Sequence, residues 1–68
     1  MLITKADITD DRFIIEGIYD HQKFEYIGSD RGTWTKLLDF NGTFDESAVL
    51  IDIIENLCNK QFELPNFT

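Results

Sequence analysis

The chain has 68 residues, 13 acids against 6 Lys and Arg, and a net charge of −7. Its hydrophobic content of 43% and aromatic content of 13% exclude a disordered chain, and no run approaches the roughly 20 apolar residues of a membrane span. One cysteine, Cys58, excludes an internal disulfide, and one Cys with one His, His21, is too few for a four-ligand zinc site.

A chain this short holds one small domain, with stability left to packing or self-association. The opening Met1-Leu2-Ile3-Thr4-Lys5-Ala6-Asp7 lacks the basic and apolar regions of a signal peptide. With a lone cysteine, this points to the cytoplasm. The sequons at Asn41 and Asn66 are then read as chance matches.

The first forty residues read as strands. Leu2 to Thr9 forms a first strand, followed by a turn at Asp10-Asp11-Arg12. Phe13 to Tyr19 and Phe24 to Ile27 are β-branched and aromatic, and form a hairpin around Asp20-His21-Gln22-Lys23. A symmetric register pairs Tyr19 with Phe24, Ile18 with Glu25, Gly17 with Tyr26 and Glu16 with Ile27, and sets the Tyr26 ring over Gly17. Alternation then puts Phe13, Ile15, Tyr19, Phe24 and Tyr26 on one face. The other face carries Ile14, Ile18 and Ile27 with Glu16 and Glu25. After a turn at Ser29-Asp30-Arg31-Gly32, Thr33 to Leu38 is a fourth strand, though Lys36 to Asp39 also suits a helical turn.

Asn41-Gly42 breaks the chain, and Thr43-Phe44-Asp45-Glu46 matches a capping box. From there the spacing predicts a helix over about 44–60, with Leu50, Ile53, Ile54 and Leu57 facing the sheet. Val49 and Ile51 flank that stripe. Asp45, Asp52, Glu55 and Asn59 fall on the opposite side. Residues 61–68 form a short tail. The fold class is therefore α+β: an antiparallel meander of three or four strands, followed by one C-terminal helix packed on a sheet face.

No nucleophile elbow, phosphate loop or dinucleotide fingerprint is present. Cys58 falls near the buried helical face, where a free thiol behaves as a small hydrophobe, and His21 falls in a turn. The run Asp39 to Glu46 departs from the spacing of a calcium loop and reads as a turn plus a helix cap. These residues imply neither an enzyme nor a cofactor nor a metal site.

The negative charge argues against direct contact with nucleic acid or an anionic membrane. An acidic outer helix face ordinarily keeps a domain soluble; read as functional, it points to protein binding through Asp39, Asp45, Asp52 and Glu55, with a basic nucleic-acid-binding protein as the partner. By general character, a small inhibitor or adaptor of phage or mobile-element type fits. A second set, Tyr19, Phe24, Tyr26 and Trp34, becomes an interface if the helix covers the aliphatic sheet face, and core if it covers the aromatic one. The alternative function is a homo-oligomer, such as a homodimer, with a structural or regulatory role.

Overall fold

The computed structural model describes residues 1–67. Strands β1 (Leu2–Ile8), β2 (Phe13–Tyr19), β3 (Gln22–Ser29) and β4 (Gly32–Leu38) precede one helix, α1 (Phe44–Gln61). The strands form an antiparallel meander in the order β1-β2-β3-β4. The helix lies on one face of it, the expected α+β arrangement.

The hairpin register differs from the expected one by two residues. Tyr19 pairs with Gln22, Gly17 with Phe24 and Ile15 with Tyr26. The turn is Asp20-His21 alone, with φ of 49° and 65°. Two left-handed residues match the twist of the flanking strands, and Asp and His tolerate that region better than most residues. Gln22 is thus a strand residue. Its amide donates to the carbonyls of Lys23 and Leu38 at 2.9 and 2.5 Å and ties the end of β4 to β3. A shift of two preserves the faces, where a shift of one would exchange them. Only the ring over Gly17 changes: it belongs to Phe24, not Tyr26.

The helix covers the aromatic face. Phe13, Ile15, Phe24 and Tyr26 are buried there with Ile54 and Cys58 from α1. Phe13 and Tyr26 meet edge to face at 4.9 Å. Two glycines make room for the rings, since a Cβ at Gly28 would collide with Phe13 and one at Gly17 with Phe24 and the Leu2 carbonyl. The deepest helical seam is Ile54 and Cys58. Leu50, Ile53 and Leu57, expected to face the sheet, are only half-buried. Large rings rise from the sheet, so the helix turns its small Cys58 toward them to keep the layers in contact.

The capping box forms as expected. The Glu46 amide donates to Thr43 Oγ1 at 3.2 Å, and the Thr43 amide donates to Glu46 Oε1 at 3.4 Å. Beyond the helix, Phe62, Leu64 and Phe67 pack against the core, with Phe67 stacked on Phe13 at 6.1 Å. The segment expected to be a plain tail therefore finishes the core; Thr68 lies outside the described residues.

Gly28→Ala is expected to lower stability by roughly 1–3 kcal/mol, the usual cost of overpacking a filled core. Urea denaturation checks this; an unchanged midpoint would mean that Phe13 does not lie over Gly28.

Candidate functional site

The sheet's uncovered face and the remaining surface differ sharply in charge. Strand-borne ionic residues all lie on the uncovered face: Lys5, Lys23 and Lys36 against Asp7, Glu16 and Glu25. Across its middle runs the row Lys5, Glu16, Glu25, Lys36, with Lys5 Nζ 3.7 Å from Glu16 Oε2. That face is neutral. Turns, helix and tail carry the other ten acids with only Arg12, Arg31 and Lys60, and hence the entire −7. Lys5–Glu16 is the only ion pair among the described residues, so no salt bridge offsets those ten acids.

Three of the four candidate acids are exposed on this layer. Asp39 ends β4 at φ 60°, Asp45 lies in the first helical turn, and Asp52 lies two turns on. Together with Ala48 and Val49 they include an exposed helical stripe, Asp45-Ala48-Val49-Asp52, at one-face spacing. Glu55 departs from the expected outer face. Its carboxylate accepts a 2.7 Å bond from the β4 hydroxyl of Thr35. Asn59 stays exposed, as the sequence places it, while its Oδ1 accepts from the Tyr26 hydroxyl at 3.2 Å. The inward turn of Glu55 follows from the rotation of the helix toward Cys58.

The aromatic candidates separate. Phe24 and Tyr26 are core, and Tyr19 is half-buried at its margin. Only Trp34, 44% exposed on the uncovered face, stays accessible. Phe44, 85% exposed at the first helical position, was missed by the sequence reading, and Val49, which that reading set at the edge of the apolar stripe, is 60% exposed. The signal for Val49 was its place beside the apolar stripe.

Cys58 and His21 are not brought together. His21 is exposed in the β2–β3 turn, while Cys58 is fully buried under the helix. Burial first, and then the nearby negative charge of Glu55, push the thiol up to about 11. The same two causes raise the Tyr26 hydroxyl, partly offset by its bond to Asn59. Among the described residues, no group of three or more His, Cys, Asp or Glu gathers as a metal set, and no helix is long and apolar enough to cross a membrane.

In comparisons with known proteins, no family model, curated protein or solved structure matches the chain.

The raised thiol sets a pH response. In the unfolded chain Cys58 ionises near its ordinary value of 9.0, and burial in the fold raises this to about 11. Its stabilisation is therefore complete below pH 9 and is lost as pH rises toward 11. Thermal unfolding should fall through that window, and Cys58→Ala should flatten the fall while lowering stability at neutral pH. An equal slope in wild type and variant would contradict a buried, neutral thiol.

Proposed function

We propose that this chain is a protein-binding module that offers its helix layer and turns to a basic partner, as an inhibitor of a nucleic-acid-binding protein would. The observation that carries this reading is the segregation of charge. The full −7 lies on turns, helix and tail without an offsetting ion pair among the described residues, while the uncovered sheet face is neutral. A predominantly negative surface speeds encounter with a basic groove and repels acidic competitors. Asp45 and Asp52 supply charge on the outward helical face, and Phe44 and Val49 supply apolar contact beside it. Interfaces commonly combine such a polar field with a few apolar anchors. Nucleic acid meets the same groove through phosphates, so the two compete.

The test pairs the wild type with Asp45→Lys/Asp52→Lys. Both carboxylates are exposed and make no hydrogen bond or ion pair among the described residues, so the variant should keep its fold. Immobilised wild type, challenged with lysate of the source cell or its host, should retain a basic nucleic-acid-binding protein. Salt and added double-stranded DNA should each release it, and the reversed variant should fail to hold it. Equal retention by the variant would remove the acidic helix from the account.

A further inference from the structure

We propose that the free edge of β4 is a seam for a second copy of this chain, the two β4 strands pairing antiparallel about Thr35. This is independent of the acidic surface and of any partner bound there.

The sheet has two edges, and they differ. β1 is interrupted by a bulge at Thr4, between Ile3 and Lys5, and carries Lys5 and Asp7. Bulges and charges are the usual guards against edge pairing. β4 runs in unbroken register with β3 from Gly32 to Leu38, and no described strand pairs with its other side. Its sequence, Gly-Thr-Trp-Thr-Lys-Leu-Leu, has high strand propensity and no proline. It is also the only strand or helix without an acidic residue, with a net charge of +1 in a chain of −7. β4 itself thus brings no acid to the seam; Asp39, just past its end, and Glu55, bonded to Thr35, are the acids beside it.

The ladder fixes the register. Ser29 and Gly32 flank the two-residue β3–β4 turn, and in an antiparallel pair the bonded positions recur every second residue. Gly32, Trp34, Lys36 and Leu38 therefore point their N–H and C=O groups at β3, and Thr33, Thr35 and Leu37 point theirs outward. Pairing Thr35 with Thr35 of the second copy sets Thr33 opposite Leu37 and uses all three outward positions on both strands. On the uncovered face it places each Trp34 beside the other copy's Lys36, a cation over an aromatic ring. A register one pair further toward Leu38 would oppose Lys36 to Lys36 and leave Thr33 unpaired. The contact is isologous, so it closes as a two-fold dimer with one continuous eight-stranded sheet.

Salt separates this contact from the acidic one. Screening relieves repulsion between two chains of −7, so self-association tightens with ionic strength, whereas binding to a basic partner weakens. Sedimentation equilibrium of the purified chain should show mass rising to twice the monomer value with concentration, and at lower concentration in high salt. Thr35→Pro removes an outward N–H that β3 does not use, and should remain monomeric over the same range with its helical circular dichroism intact. Thr35→Val loses the same Glu55 bond but keeps the N–H, and should dimerise like wild type. On the unaltered chain, a mixture of isotope-labelled and unlabelled protein should give an intermolecular NOE between Trp34 Hα and Lys36 Hα. A monomer at every concentration and salt would leave the edge to a strand from another protein and overturn the pairing. So would a folded Thr35→Pro that still dimerises, or intermolecular NOEs centred on Leu2, Ile14 and Ile18.

Discussion

The helix has a choice of two sheet faces, and its choice of the aromatic one determines the rest of the molecule. Phe13, Ile15, Phe24 and Tyr26 present large rings and one branched chain to Ile54 and Cys58. Burying each large side chain is worth roughly 1.5–3 kcal/mol, a large share of the stability open to a domain this size. Gly17 and Gly28 supply the hollows in which Phe24 and Phe13 lie. The uncovered face holds Ile14, Ile18 and Ile27 too, but the row Lys5, Glu16, Glu25, Lys36 crosses it, and covering that row with a helix would desolvate four charges. The charged row and the aromatic core are therefore two sides of one decision.

Once the helix is placed, the surface follows. Helix, turns and tail together take the net charge of −7, and the sheet's other face stays neutral. Rotation toward Cys58 brings Glu55 and Asn59 within reach of Thr35 and Tyr26, so these two polar side chains fasten helix to sheet. Asp45 and Asp52 remain as the outward acids, with Phe44 and Val49 beside them. β4 is left as an acid-free edge. The acidic layer and the edge are separate surfaces, and a dimer joined at β4 would display two acidic layers at once.

Much of the fold was legible because its signals were local. The capping box at Thr43 and Glu46 and the two-residue alternation of β2 and β3 each rest on neighbours in sequence. The hairpin register was not, because a two-residue turn normally announces itself with Asn-Gly, whereas Asp20-His21 adopts the same geometry without glycine. The deep helical seam was hidden because its centre is Cys58, a weak hydrophobic signal selected by the bulk of the rings opposite. Phe62, Leu64 and Phe67 have no periodicity to mark them, and only the tertiary structure shows that they pack against the core, Phe67 on Phe13. Among the candidate site residues, the exposure of Asp39, Asp45 and Asp52 followed from helix and turn pattern alone. The fates of Phe24, Tyr26, Trp34 and Glu55 depended on which face the helix covers and how it is rotated, which local pattern does not encode.

The most direct measurement is a nuclear Overhauser spectrum of the monomeric protein, read from the methyl groups of Ile54. The account predicts cross-peaks to rings of the Phe13, Phe24 and Tyr26 cluster and none to Ile14, Ile18 or Ile27. Cross-peaks to those isoleucines would place the helix on the other face, expose the aromatic residues and contradict the arrangement of charge on which the functional reading stands.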